Sequence, residues 1–173
     1  MASLLRRRSG AGRDERVENV VVTVEPSTDD YEISSDPARM DLDRIHGWLS
    51  TDAYWALGRS RETVETAARG SVNLGAFTGD GSQVAYARVV TDHATFAWLC
   101  DVYVDRGHRG RGLGRRLAEA VVARLRPLGL GRVLLATQDA HEVYARVGFV
   151  PVTDPERLMV LGADSRRPRP AAP

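Results

Sequence analysis

Between residues 31 and 161 the apolar positions change period several times, and each change marks an element. Tyr31-Glu32-Ile33 reads as a short strand. After Asp36-Pro37, the apolar residues Met40, Ile45, Trp48 and Leu49 repeat at helical spacing to about Leu49. Ser60 is placed to cap a second helix that runs to Arg69 with Val64, Ala67 and Ala68 as its inner stripe. Past Gly70 the texture becomes strand-like, in three runs: Val72 to Thr78, Gln83 to Thr91 and Thr95 to Val104. Short turns at 79–82 and 92–94 make these an antiparallel meander. Leu113, Leu117, Ala120, Val121 and Leu125 then share one face of a helix that Pro127 and Gly129 stop. A strand over Val133 to Thr137 follows. Asp139 and Glu142 have the spacing of a capping box, which predicts a short helix from Asp139 to Arg146 that Gly148 ends. Residues 149–152 and 158–161 read as closing strands.

This pattern divides the chain into a tail over residues 1–29, one domain over 30–163 and a disordered Arg/Pro/Ala tail over 164–173. The first tail ends in a Pro- and acid-rich linker, although Val20 to Val24 would suit an extra strand. A 173-residue chain that is 43% apolar can bury a proper core, which sets aside fibrous and fully disordered classes. All 24 basic residues are arginine, set against 23 acidic ones, and the formal charge of +1 offers no global attraction to nucleic acid. The Arg6-Arg7-Arg8 cluster is interrupted by Asp14 and Glu15 before Arg16, and reads as a solvated tail. Cys100, the single cysteine, lies in an apolar run, which favours a buried small hydrophobe and excludes an internal disulfide or a multi-cysteine metal site. No metal is expected. No stretch reaches the ~20 apolar residues of a membrane helix, so the expectation is a cytoplasmic protein with no membrane partner.

One segment carries chemistry of its own. Arg109-Gly110-Arg111-Gly112-Leu113-Gly114 lies between an apolar strand and a helix, where unpaired backbone N–H groups and the positive end of the helix dipole meet an anion. Glycine there permits positive φ and close backbone approach, and Arg109 and Arg111 add charge-assisted hydrogen bonds. The turn lacks the Gly-Lys-Ser/Thr of a P-loop and the spacing of a dinucleotide fingerprint.

Arg109 to Gly114 resembles the Arg/Gln-x-x-Gly-x-Gly/Ala signature of the GNAT-type N-acetyltransferase superfamily. Ala140-x-x-x-Tyr144 followed by Gly148-Phe149 resembles its second signature. The resemblance covers roughly Tyr31 to Leu161. It implies an α+β fold with a central, mostly antiparallel, splayed sheet of six to seven strands flanked by about four helices. It also implies acetyl-CoA as acyl donor, with Val102 and Val104 giving main-chain contacts to the pantetheine arm and residues 109–114 holding the pyrophosphate. Where the family often has Asn, this chain has Thr137, whose hydroxyl also reaches the arm with shorter range. The acceptor implied is a primary amine of a small molecule or peptide, and nucleic acid is not expected as a partner; a non-catalytic acyl-CoA sensor of the same fold is the alternative. Monomer and homodimer are both open.

Attack of an amine on a thioester needs an oxyanion donor and an acid for the leaving thiolate. A backbone N–H near Val102 serves the first. Tyr144, with a phenol pKa of ~10 against ~8.5 for a thiol, serves the second, as the resemblance also implies; core packing is the plainer reading. Asp101, a charge inside an apolar strand on the same period-2 face as Leu99 and Tyr103, is the candidate base if burial raises its pKa, with a salt-bridged strand carboxylate as the alternative. Tyr54, Trp55 and Arg59 fall in the loop between the first two helices, which in the family walls the acceptor site; core packing for Trp55 and solvation for Arg59 remain open. His93 and His108 read as surface residues, and His141 shares a helical face with Tyr144.

Overall fold

The computed structural model describes residues 31–161. Val20 to Val24 and both tails lie outside these residues. Five strands form one sheet in sequence order: β1 (Glu32–Ser34), β2 (Val72–Phe77), β3 (Gln83–Thr91), β4 (Phe96–Val104) and β5 (Arg132–Leu135). The first four pair antiparallel and β5 joins β4 in parallel. The helices are α1 (Leu42–Thr51), α2 (Arg61–Arg69), α3 (Leu113–Leu125) and α4 (His141–Ala145). The class and its four helices are as expected, and the described residues form a sheet of five strands where six to seven are expected. Residues 149–152 and 158–161 form no strand, and Val150, Met159, Val160 and Leu161 are exposed there.

Local chemistry sets the helix ends. Asp41 caps α1 by accepting from Arg44 N at 2.9 Å. Ser60 Oγ accepts from Thr63 N at 3.2 Å and caps α2, an interaction typically worth about 1 kcal/mol. The α4 capping box does not form. Its N-cap is Ala140, and Thr137 Oγ1 accepts from Ala140 N at 3.0 Å, so threonine ties the entry to the helix and Asp139 stays outside it.

Two cores lie on opposite faces of the sheet. Leu113, Leu117 and Val121 of α3 pack with Leu74, Ala87, Val89, Ala97 and Leu99. Ile45 and Leu49 of α1 pack with Val64, Tyr86 and Tyr103. Burying each large apolar side chain contributes about 1.5–3 kcal/mol, which makes α3 the main clamp on the sheet.

β4 changes face along its length. Arg88 pairs with Cys100 and Tyr86 with Tyr103, so one residue of β3 opposes two of β4, and Asp101 within this bulge takes φ 52°. Strict alternation put Leu99 and Tyr103 together, whereas they occupy opposite cores. The parallel ladder to β5 stops at Leu99 and Leu135, which splays the sheet beside Cys100 to Val104.

Candidate functional site

Two cavities flank the splayed half of β4. One, of about 630 Å³, is bounded by Val104, Gly110, Gly112, Gly114, Arg115 and Val143. Gly110 and Gly112 adopt φ 76° and 74°, a left-handed geometry costly to residues with a Cβ. Gly112 is the N-cap of α3 with no side-chain cap, and the first intrahelical acceptor is met only at Arg116 N, bonded to Gly112 O at 3.1 Å. The N–H groups of Leu113, Gly114 and Arg115 therefore remain for an anion. The donor set fits a phosphate.

The two arginines of this loop behave differently from expectation. Arg109 borders this cavity while its side chain is tied back: its Nε donates to Val104 O at 2.9 Å, its Nη2 to Asp52 Oδ2 at 3.2 Å, and its guanidinium lies 5.2 Å from the centre of the Tyr103 ring. Asp52 also accepts from Arg106 and, at 2.6 Å, from Tyr103 Oη, and these bonds hold it below the usual carboxylate range. Arg109 thus braces the end of β4, and Val104 O is already bonded. Arg111 Nη1 donates to Tyr31 Oη at 3.3 Å, and Tyr31 Oη also meets His108 Nδ1 at 2.7 Å, which makes His108 a half-buried structural residue.

The second cavity, of about 400 Å³, is lined by Tyr54, Trp55, Arg59, Arg88, Asp101, Val102, Thr137, Asp139 and Tyr144, among others. It gathers three expected groups: the α1–α2 loop, the β4 bulge and the tyrosine of α4. The loop is built as a wall. Ala53 and Ala56 are buried beneath it, Gly58 N bonds Ser50 O at 2.9 Å, and Tyr54 and Trp55 meet edge to face at 4.8 Å with both rings exposed. Thr137 reaches the cavity, and although its oxygen already accepts the Ala140 N–H, its O–H remains to donate to a ligand.

Tyr144 is buried against Phe149, and its hydroxyl makes no hydrogen bond to a described residue. Burial first, then the charge of Asp139 and nearby Tyr54, push this phenol up to about 12. It stays protonated at any working pH.

Asp101 is corrected. Its side chain is 3% exposed, and Oδ2 accepts 2.8 Å hydrogen bonds from both Arg59 Nη1 and Arg88 Nε. Burial opposes its ionisation, but the hydrogen bonds and charges of the two arginines outweigh it, so its carboxyl is held below the ordinary 3.8 rather than raised. The proton acceptor expected there is a salt-bridged anchor.

Arg88, Val90, Trp98 and Asp139 complete the wall and were not singled out from the sequence. Arg88 had a signal: a charge within the apolar run of β3 needs a counter-charge, and Asp101 is the one in the neighbouring strand. Asp139 was hidden by its resemblance to a cap. His93 is exposed in a turn, and exposed His141 is not part of either wall. Among the described residues no His/Cys/Asp/Glu group could hold a metal, and no helix is long and apolar enough to cross a membrane.

These features recur in known proteins. The acetyltransferase (GNAT) family model matches residues 42–149. A Gibberella zeae protein assigned as an acetyltransferase is 31% identical over 136 residues, which are 68% of this chain and 77% of its own. A solved Xanthomonas campestris pv. campestris protein, assigned to the GNAT acetyltransferases, is 43% identical over 79% of this chain and 95% of its own, with a TM-score of 0.73. N-acetylglutamate synthase of Neisseria gonorrhoeae, solved with coenzyme A and N-acetyl-glutamate, shares the fold at 22% identity and a TM-score of 0.56 over 67% of this chain and 27% of its own. With the family model spanning the α1–α4 unit that carries both cavities, the chain belongs to the GNAT family of acetyltransferases.

Proposed function

We propose that this protein transfers an acetyl or other short acyl group from acyl-CoA to a primary amine by direct attack on the thioester. The observation that carries this is the placement of the two cavities along the same unpaired end of β4. Val104 lines the anion-binding side and Val102 the side of Tyr144, with β4 free of a strand partner on the β5 flank between them.

In this reading the N–H groups at the start of α3 hold the pyrophosphate, and Arg115 adds charge. Val102 and the neighbouring main chain receive the pantetheine arm, with the Thr137 hydroxyl as a donor beside it. The bound cofactor supplies an activated acyl thioester. A main-chain N–H at the bulge faces developing negative charge on the thioester oxygen. The Tyr144 phenol donates a hydrogen bond to the departing sulfur. With the phenol near 12 and a thiol near ~8.5, complete proton transfer to the thiolate runs uphill, so the phenol stabilises the leaving group and solvent completes its protonation. Asp101 keeps Arg59 and Arg88 in place. Asp139, whose carboxylate accepts no hydrogen bond from a described residue, is the group left to pair with the incoming ammonium, which gives its proton to water before it attacks.

The test is release of CoA thiol from acetyl-CoA with a panel of amines, comparing the natural chain with Tyr144→Phe. The variant is expected to lose about 10²- to 10⁴-fold in kcat with cofactor affinity retained. Tight cofactor binding with no turnover on any amine would identify a sensor instead.

A further inference from the structure

The four charged side chains in the wall of the acceptor cavity, Arg59, Arg88, Asp101 and Asp139, balance as a set, but one cluster of them carries a positive charge that the transfer chemistry does not use. Asp101 takes hydrogen bonds from both Arg59 and Arg88, so three charged groups in contact sum to +1. Arg88 also donates to Ser71 Oγ at 3.0 Å and is largely buried. Arg59 differs. Of the five N–H donors of a guanidinium, it gives one described residue a hydrogen bond, and its side chain stays 22% exposed where it lines the cavity. Its place is fixed from behind, because Arg59 O bonds His46 Nε2 at 3.2 Å and Arg59 N bonds Ala56 O at 3.0 Å.

The opposite sign lies elsewhere in the lining. Asp139 stands at the entry to α4, close enough for its charge to bear on Tyr144, and no ion pair joins it to Arg59 or Arg88. The same wall also carries apolar and aromatic side chains, among them Tyr54, Trp55, Val90 and Trp98. A cavity of about 400 Å³ suits one small molecule.

Resting on the acyl-transfer reading above, we propose that the acceptor is an amino-acid-like molecule: an amine that also bears a carboxylate, on an apolar or aromatic body. Its carboxylate pairs with the free donors of Arg59, whose fork geometry matches the two oxygens. Its ammonium faces Asp139 and, once neutral, the thioester beside Tyr144. Its body rests on Tyr54 and Trp55. An amine without the carboxylate leaves the surplus charge of the arginine pair unmatched in a partly desolvated wall.

The experiment compares three series under saturating acetyl-CoA: aromatic and branched amino acids, their carboxamides, and the corresponding decarboxylated amines. The expected result is a kcat/KM roughly 10- to 100-fold higher for the free acids than for the other two series, the range of one charge-assisted hydrogen bond. Arg59→Gln should abolish that preference, and Arg59→Lys, which keeps the charge without the fork, should retain part of it, with coenzyme A binding by calorimetry unchanged in both. Equal or faster turnover of the amides or decarboxylated amines would overturn the carboxylate proposal and leave acyl transfer standing. No turnover in any series, with coenzyme A bound, would overturn the transfer reading and this proposal together.

Discussion

Replacing Asp101 tests whether the β4 bulge holds an anchor or a base. Asp101→Asn keeps size and tolerates the left-handed φ of 52°, so it isolates charge from backbone strain. The carboxylate is 3% exposed, and both arginines that bond it are mostly buried, at 15% and 22%. Removing one partner of a buried pair costs about 3–5 kcal/mol; the Asn carbonyl can still accept from one guanidinium, which leaves an expected loss of about 2–4 kcal/mol. For a domain of this size that is a fall in melting temperature of roughly 10 °C. Asp101→Ala should lose about 1 kcal/mol more, because alanine pays the left-handed backbone cost. Urea unfolding followed by tryptophan fluorescence reads all three proteins.

The pH dependence carries the sign. Because the folded pKa of Asp101 lies below its unfolded value, its stabilisation is fully present above about pH 4 and is lost as pH falls through the folded value. The gap between the natural chain and Asp101→Asn should therefore be constant near neutrality and narrow in acid. An Asn variant within about 1 kcal/mol of the natural chain at pH 7, or a gap that does not narrow in acid, would refute the anchor. A base in that position would instead lose turnover with stability intact.

Three further outcomes follow from the geometry. A Cβ at Gly47, inside α1, meets nothing within 4 Å, so Gly47→Ala should raise stability by about 0.5–1 kcal/mol in thermal unfolding. Gly112→Ala has equal space but φ 74° at the N-cap of α3; it should cost about 1 kcal/mol and weaken coenzyme A several-fold by calorimetry, while equal affinity would remove this turn from the cofactor site. Burial pushes the Cys100 thiol up to about 11, so at pH 8 a disulfide reagent should label it roughly 100-fold more slowly than free cysteine, and unfolding should abolish the difference.

Much of the fold was legible because its elements have strong local causes. Ser60 opens α2, the apolar stripe from Leu113 to Leu125 sets α3, and the turn after Phe77 fixes the hairpin of β2 and β3. The errors fall where local signals compete with tertiary ones. Residues 158–161 have a strand-like composition, but a strand needs a neighbour to take its hydrogen bonds, and none of the five strands pairs with them. Asp139 has the spacing of a cap, yet the helix begins one residue later, with Ala140 as its N-cap and the Ala140 N–H bonded to Thr137.

The sequence by itself marked out the Gly-rich turn, the tyrosine of α4 and the aromatic loop, because each rests on residues adjacent in the chain. Only the tertiary structure decided what Asp101, Arg109 and Asp139 are for. A charged group takes its protonation state and role from whatever lies within about 4 Å of it, and those neighbours come from distant segments. Arg59 and Arg88 turn Asp101 from a base into an anchor. Asp52 and Val104 hold Arg109 against the end of β4 while it still borders the cavity of the Gly-rich turn. Asp139, left outside the cap, lines the second cavity and accepts no hydrogen bond from a described residue.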